Sequence, residues 1–539
     1  MRVSPLPLLA ACCLSAFSLP GRAQTTPALQ ITLTLEDYAT LPQTGKVDGT
    51  GQIMGLLARV NFMRDEPGVA RNRIFVNDLN GPLYILDKQT RQFTTYLNFN
   101  GSDGAPGLFR RLPLKSGFAN GFICFTFDPD YAHNGRFYTI HLEDPEADGA
   151  AEPDITHFPG IKAAWRTTPL IPTPGRKFRD AILLEWTDTD TANTTFEGTA
   201  RELMRVQMNG QVHPMGDLVF NPTARPGDPD WRVLYIACGD GGAGELKDPV
   251  MRANPQSLDN LVGKILRIVP DLSAHKPTST VSENGQYRVP KDNPFAAKPG
   301  ARPEIWAYGI RNPARLVWDD SHLLASVIGL YTWETVIEIR KGANYGYSLR
   351  EGNQTLSADN KNGDLPADDR IPVRLRASDP ATGTEDLVKP TYPLLQYPHL
   401  AGGGDAISSG YPYRGKSLPA LNGKYLLADL STGNIWWVDY KKMLAADVSK
   451  PQTTVPLNPV KVRWTRPGST SPEVYGNMYP ITELVYHQRG GTAKNLPGFA
   501  KVPNGGRSDI HLWSDSNGDL YITSKSDGMI RKVVGATSE

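Results

Sequence analysis

The stretch RIFVNDLNGPLYILDKQT, residues 73–90, contains the pattern that decides the fold. It reads as an apolar strand, a short polar turn that ends in glycine, and a second apolar strand. Gly81 suits the positive φ that a tight hairpin turn requires. The same pattern returns as KYLLADLSTGNIWWVDYKK at 424–442 and as DLYITSKSDGMIRKVV at 519–534. The sequence therefore predicts β-hairpins near both ends of the chain.

Hairpins scattered over the whole length, the last resembling the first, favour blades arranged around an axis over a single sandwich. The 51 glycines and 45 prolines are spread along the 539 residues, which is typical of many short strands joined by turns. We therefore predict an all-β fold, a β-propeller. Two polar stretches, near 145–199 and 352–388, are predicted to be long loop insertions at the rim of a central site.

The beginning of the chain has the pattern of a secretory signal peptide. Arg2 precedes an apolar run from Leu6 to Leu19, and small residues surround a cleavage point after Ala23. We expect residues 1–23 to be removed and 24–539 to form a single propeller domain in the periplasm or outside the cell. A lipid-modified Cys12 is the less favoured alternative, because the apolar run continues past it. No other segment is apolar enough to predict a membrane span.

Charge and cysteines exclude several classes of protein. The formal net charge is +1, so nothing points to nucleic acid or to an acidic membrane surface as a partner. Beyond the predicted signal only Cys124 and Cys238 remain, each in an apolar run that reads as a strand. Two buried thiols are favoured over a disulfide, since sequence does not show proximity. The chain has no C-x-x-C-H motif, which excludes a covalently attached c-type haem.

Several stretches, taken in order, resemble the glucose/sorbosone dehydrogenase family, whose members use pyrroloquinoline quinone (PQQ). They are GFICFTFDPDYAHNGRFYTIH (121–141), VHPMGDLVF (212–220), LYIACGDGG (234–242), NLVGKILRI (260–268), PEIWAYGIRNPARLVWD (303–319), KGANYGYSLREG (341–352), SSGYPYRGKSLPALNGKYLLADLSTGNIWWV (408–438) and GDLYITSKSDGMIRKV (518–533). The resemblance implies a six-bladed propeller that holds PQQ over its central channel. It also implies oxidation of an aldose-type sugar, with electrons passed to an external acceptor. Nothing in the sequence specifies an oligomeric state.

Such a reaction needs a base that titrates near neutrality to remove a proton from a sugar hydroxyl, and histidine is the natural candidate. His213 in VHPMGDLVF matches the family's base. The preceding residue is acidic in the best-known glucose-oxidising members but is Val212 here. We therefore expect a different group to orient the histidine.

PQQ carries three carboxylates, and the planar fork of arginine suits paired carboxylate oxygens. Arg311 and Asn312 in YGIRNPARL match the family's cofactor-contacting pair, and Arg507 in GGRSDIHLW lies near its C-terminal arginine positions. Two other family contacts are absent here. The position of the family's glutamine is occupied by Ala119, and the position of its lysine is occupied by Ser431.

The resemblance also implies calcium, which polarises the carbonyl that accepts hydride. The segment SVIGLYTWETVIEI places Gly329 and Leu330 at the positions whose backbone carbonyls bind the ion, with Glu334 as a nearby acidic residue. We interpret GDGGAG at 239–244 as a propeller turn and not a phosphate-binding loop, because no Lys-Ser/Thr follows it.

Two other functions stay open at the level of sequence. One is a non-catalytic propeller that binds a glycan or a partner and has lost part of the cofactor site. The other is a propeller hydrolase or lactonase that uses a central calcium ion. The fold alone does not separate them, since propellers carry many functions.

Overall fold

The computed structural model describes residues 29–44, 55–68, 72–101, 107–113, 119–157, 165–376, 386–399, 403–451, 455–498 and 506–539. The predicted signal peptide, 1–23, lies outside these residues. Almost all of the regular structure is β-strand, and the strands form six consecutive four-stranded units, called blades 1 to 6. The predicted six-bladed β-propeller is confirmed.

The strands of each blade follow one another from the innermost, at the channel, to the outermost. Blades 1 to 3 consist of Val60–Asp65, Arg73–Asp78, Pro82–Asp87 and Phe93–Asn98; Phe122–Phe127, Arg136–Glu143, Arg179–Asp188 and Gly198–Met208; and Met215–Phe220, Leu234–Cys238, Lys264–Ile268 and Ile305–Tyr308. Blades 4 to 6 consist of Asn312–Asp319, His322–Ile328, Trp333–Glu338 and Leu395–Pro398; Ile407–Pro412, Lys424–Asp429, Ile435–Asp439 and Asn458–Trp464; and Ile510–Ser514, Leu520–Ser524, Met529–Ser538 and Ile31–Thr40.

The remaining elements decorate the blades. Short strands lie at Leu170–Ile171, Ser279–Val281, Arg288–Pro290, Arg350–Glu351, Gln354–Leu356, Asn362–Gly363, Ile371–Pro372, Leu387–Val388 and Glu473–Tyr475. The α-helices are Tyr131–Asn134, Ala243–Leu246, Pro249–Ala253, Tyr440–Leu444 and Tyr479–Gln488, and 3-10 turns lie at Ile155–His157, Asn254–Gln256 and Pro419–Leu421. Within the described part of the chain, none of the helices has the length and apolar character needed to cross a membrane.

The three repeated hairpins of the sequence are the second and third strands of blades 1, 5 and 6. These strands lie in the middle of a sheet whose two faces pack on the neighbouring blades, which explains their apolar composition. Apolar clusters fill the spaces between successive blades around the ring. The fold is thus held by side chains between sheets, and the inner strands are left to line the axis.

The ring is closed by the two ends of the described chain. Ile31–Thr40 pairs antiparallel with Met529–Ser538 and becomes the outer strand of blade 6. It also pairs in parallel with Asn458–Trp464 of blade 5. No local pattern in the sequence predicts this pairing.

The first predicted insertion differs in extent from the structure. The stretch 145–199 contains Arg179–Asp188, a complete strand of blade 2 whose side chains are buried almost throughout. The polar composition of its surroundings hides the strand in the sequence. In the second stretch, 352–388, the described residues form small two- and three-stranded sheets. The predicted free thiols are confirmed, since Cys124 and Cys238 are both buried and unpaired.

The central channel has two mouths. Residues at the C-terminal ends of the six inner strands surround a cavity of about 1220 Å³ at one of them, which we call the opposite mouth. The loops that enter the inner strands meet at the other, which we call the site mouth. His213, Arg311, Asp405 and Asp509 all precede inner strands and therefore lie there.

Candidate active site

His213 and Asp240 form a close pair at the site mouth. His213 lies in the loop that leads into blade 3, and Asp240 follows the second strand of that blade. Their Nδ1 and Oδ1 atoms are 2.6 Å apart. Gly239 permits this approach, because a Cβ there would lie 2.5 Å from the carbonyl oxygen of His213. With Nδ1–H donating to Asp240, the lone pair of Nε2 is left to act as a base.

The Asp240 carboxyl is fully buried yet suited to hold a negative charge. Burial opposes its ionisation, but the neighbouring His213 and its hydrogen bond hold the pKa of the Asp240 carboxyl below its usual value. Its Oδ1 also accepts a hydrogen bond from the Gly242 amide, at 3.0 Å. Asp240 is thus the orienting group that Val212 does not provide. Its role is hidden in the sequence, because GDGGAG reads only as a turn.

Arg311 lies beside this pair and is almost completely buried. The backbone joins the two, since the Asp240 amide donates to the Arg311 carbonyl at 2.8 Å. Arg311 Nη1 donates to the carbonyls of Ile328, at 3.0 Å, and Gly329. The pKa of the Arg311 guanidinium is raised: burial alone would lower it, but nearby negative charge, chiefly that of Glu245, outweighs burial.

The remaining contact of Arg311 is Glu245, a residue that no motif in the sequence singles out. Arg311 Nη2 donates to Glu245 Oε1, and the same carboxylate oxygen lies 3.7 Å from His213 Nε2. The Glu245 side chain is 37% exposed, against 6% for Arg311. Asn312, the predicted partner of Arg311, is half-buried and begins the inner strand of blade 4.

The loop with Gly329 and Leu330 is fixed by a buried carboxylate. Glu351 Oε1 accepts hydrogen bonds from the backbone amides of four consecutive residues, Leu330, Tyr331, Thr332 and Trp333, at 2.7 to 3.3 Å. Carboxylates that accept several amide hydrogens form some of the strongest hydrogen bonds in proteins. The predicted calcium-binding loop is therefore held in place by four hydrogen bonds, and it lies against Arg311.

Glu334 also stabilises this loop, through hydrogen bonds. Its fully buried carboxylate accepts from the Gly329 amide at 3.0 Å and from the Ile407 amide at 2.7 Å, and it lies 2.5 Å from His399 Nε2. Burial lowers the pKa of His399, but the hydrogen bond and charge of Glu334 outweigh it, so this pKa is raised. With these partners, the Glu334 side chain joins blades 4 and 5.

Blades 5 and 6 bring further charged groups to the site mouth. Arg507 Nη2 lies 3.9 Å from Asp405 Oδ2, and the same carboxylate oxygen accepts the Ser431 hydroxyl. Lys525 Nζ lies 3.8 Å from Asp509 Oδ1. Ser431 thus holds the partner of Arg507, while Lys525 supplies a lysine from blade 6 that the family motifs do not predict.

Lys525 lies among other cations and is almost completely buried. Burial lowers its pKa to about 8, and although Asp509 opposes this shift, Arg315, Arg59 and Arg507 add to it. Arg59 is itself fully buried in the loop that leads into blade 1. Charged side chains of both signs thus meet at this mouth, and its cations suit an anionic ligand.

The fold and this mouth define a six-bladed propeller with a buried histidine–carboxylate pair beside cationic side chains. A sequence model of the family described as Glucose / Sorbosone dehydrogenase matches residues 179–453, half of the chain. The chain belongs to this family. The resemblance stated from the sequence motifs is therefore confirmed.

Individual relatives match over shorter parts. The HIPL1 protein of Arabidopsis thaliana is 28% identical over 334 residues, which cover 59% of this chain and 43% of that protein. The aldose sugar dehydrogenase YliI of Escherichia coli is 30% identical over 159 residues, which cover 29% of this chain and 34% of that protein. These matches span less than half the length of either relative.

Solved structures show the same fold. A crystal structure of glucose dehydrogenase superposes with a TM-score of 0.50 at 18% identity, covering 89% of this chain and 97% of that one. The apo-form of the soluble aldose sugar dehydrogenase from Escherichia coli gives a TM-score of 0.50 at 15% identity, covering 95% and 99%. At these identities the likeness concerns the architecture of the chain.

Proposed function

We propose that this protein oxidises a hydroxyl group of an aldose-type sugar, using PQQ bound at the site mouth and an external electron acceptor. The observation that carries the proposal is the His213–Asp240 pair directly beside Arg311, with Asp240 on Nδ1 and with Nε2 lying 3.7 Å from Glu245 Oε1. We further propose that the protein is exported, on the basis of the signal pattern in residues 1–23.

The side chains at the site mouth fit a polycarboxylate such as PQQ. Arg311 is buried and its Nε has no hydrogen-bond partner in the described part of the chain. An unsatisfied buried donor of this kind favours an acceptor from a ligand. Arg507 and Lys525 add cationic groups from blade 6. When bound, PQQ would supply the quinone carbonyl that accepts the hydride.

The protein's own part of the reaction follows from the pair. Nε2 of His213 removes the hydroxyl proton as the C–H bond of the sugar breaks. The ionised Asp240 stabilises the imidazolium that results and keeps the ring in position. Because both groups are buried, their interaction is stronger than it would be in water.

Calcium is proposed at the loop of Gly329 and Leu330, which fits the ion only in part. The Gly329 carbonyl already accepts a hydrogen bond from Arg311, so an ion at this oxygen would lie close to a guanidinium cation and share its acceptor. Backbone carbonyls are suitable ligands for a hard cation. The dependence of PQQ affinity on added calcium tests this part of the proposal separately.

A second candidate is a non-catalytic propeller that binds a glycan or a partner. It is favoured by Glu245, which fills a hydrogen-bonding position of Arg311, and by Ala119 and Ser431 in place of the family's glutamine and lysine. Under this proposal the site mouth would bind no quinone.

A titration separates the two candidates. Purified protein is mixed with PQQ, with and without calcium, and binding is followed by quenching of tryptophan fluorescence. Dye reduction is then measured with a panel of aldoses. We expect micromolar binding and sugar-dependent dye reduction. Absence of PQQ binding at micromolar concentrations would reject the dehydrogenase and favour the second candidate.

The affinity for PQQ is expected to fall as the pH rises above about 8, because that is the pKa of Lys525. Below this pH the lysine is protonated and attracts the ligand's carboxylates, which stay ionised throughout; above it the charge is lost. Lys525→Arg, which keeps its charge, should bind equally well at pH 7 and pH 9. Lys525→Met should bind weakly at both. A wild-type affinity that does not change between pH 7 and pH 9 would contradict this role.

A further inference from the structure

At the site mouth, the carboxylate of Glu245 already forms an ion pair with Arg311. Glu245 Oε1 accepts from Arg311 Nη2, on the side of the guanidinium that Ile328 and Gly329 leave open. Charge-assisted hydrogen bonds to carboxylate oxygens are how arginine recognises anionic ligands. Glu245 therefore stands where a carboxylate of a bound ligand would be recognised.

The backbone that carries Glu245 is fixed. A Cβ on Gly244 would lie 2.4 Å from the Tyr347 hydroxyl and 3.0 Å from Leu330 Cδ1, so this residue packs closely on blade 4. Its carbonyl accepts a hydrogen bond from Asn360 Nδ2, at 3.0 Å. The short helix Ala243–Leu246 is thus anchored. Rotation of the Glu245 side chain, which is 37% exposed, is the movement left to it.

We propose that Glu245 is an internal competitor for Arg311, so that an anionic ligand binds only by displacing its carboxylate. A ligand with one carboxylate merely replaces one ion pair by another and gains little. A ligand with several carboxylates keeps additional contacts with the cations of blade 6, Arg507 and Lys525, and gains affinity. Glu245 thereby makes the site mouth selective for polyanions. This inference rests on the proposed function, which identifies the polyanion as PQQ.

The test compares PQQ binding to three proteins by fluorescence quenching at neutral pH. They are the wild type, Glu245→Gln and the control Glu473→Gln. Glu245→Gln keeps the shape of the side chain and removes its charge. Glu473 is half-exposed on the outer face, where its carboxylate lies 3.9 Å from Arg466, so its replacement removes a matched charge from a distant arginine.

We expect Glu245→Gln to bind PQQ about tenfold more tightly than the wild type. In this variant the ligand no longer has to break the ion pair between Arg311 and Glu245, and no displaced carboxylate repels it. Glu473→Gln should bind like the wild type. If all three proteins bind with the same affinity, Glu245 is no competitor, although the proposed function stands. If none of them binds PQQ, the proposed function is wrong and this inference is rejected with it.

Discussion

Replacing His213 by alanine is expected to lower the turnover number for sugar oxidation by about a thousandfold while the affinity for PQQ stays unchanged. The imidazole is the base in the proposed reaction, and it lies on the substrate side of the pair with Asp240. Asp240→Asn should lower turnover as well, because a neutral amide does not stabilise the imidazolium. Dye reduction under saturating PQQ measures both effects.

A matched control is available on the surface. His322 Nδ1 lies 2.6 Å from Glu338 Oε1, which is the same separation as in the His213–Asp240 pair, but its side chain is 36% exposed and remote from the site mouth. His322→Ala should retain full turnover. Added imidazole should restore part of the activity of His213→Ala by entering the space left by the ring. Full activity in His213→Ala without imidazole would remove this residue as the base.

The propeller could be predicted because much of its signal is local. The apolar hairpins of blades 1, 5 and 6 each consist of consecutive residues, and each forms the buried middle of a sheet. The closure of the ring could not be predicted, since Ile31–Thr40 meets Met529–Ser538 through a contact between distant parts of the chain. The strand Arg179–Asp188 is hidden in the sequence because turn-forming residues surround it.

The site was predictable to the extent that single motifs define its members. The motifs that contain His213 and Arg311 are recognisable in the sequence, and the structure brings the two segments together. Asp240 was not predicted because G-D-G-G is a turn signal; in the structure this stretch bends and leads into the short helix Ala243–Leu246. The distance between its carboxylate and His213 depends on how two separate loops fold against each other. A carboxylate two residues after the apolar strand Leu234–Cys238 was the available signal.

Side chains that act through networks are harder to predict than those in motifs. The sequence indicates Glu334 only as an acidic residue near a metal ion, but its buried carboxylate is satisfied by Gly329, His399 and Ile407. In the sequence, Ser431 is notable only because the family has a lysine at that position. In the structure it holds Asp405, and Lys525 brings a lysine from the next blade. Networks of this kind need the relative position of blades, which motifs do not encode.

Replacing Arg311 by alanine is expected to weaken PQQ binding by about a hundredfold, which exceeds the loss of one ordinary hydrogen bond. Two effects add in this variant. The ligand loses its principal cationic partner, and Glu245 remains at the site mouth as an uncompensated negative charge. Because Arg311 is buried, unfolding free energy should fall too, by about 1–3 kcal/mol. Urea unfolding therefore has to accompany the fluorescence titration.

A double variant of Arg311 and Glu245 separates the loss of the cationic partner from the repulsion by the remaining carboxylate. In the double variant Arg311→Ala/Glu245→Gln the repulsion is gone, so part of the affinity lost in Arg311→Ala should return. Arg414→Ala is the control, since this arginine pairs with Asp319 at 2.7 Å at the opposite mouth and should leave PQQ binding unchanged. If the double variant binds no better than Arg311→Ala, repulsion by Glu245 is not part of the loss. If Arg311→Ala itself binds PQQ like the wild type, the ligand lies elsewhere and Arg311 is a structural residue of the channel.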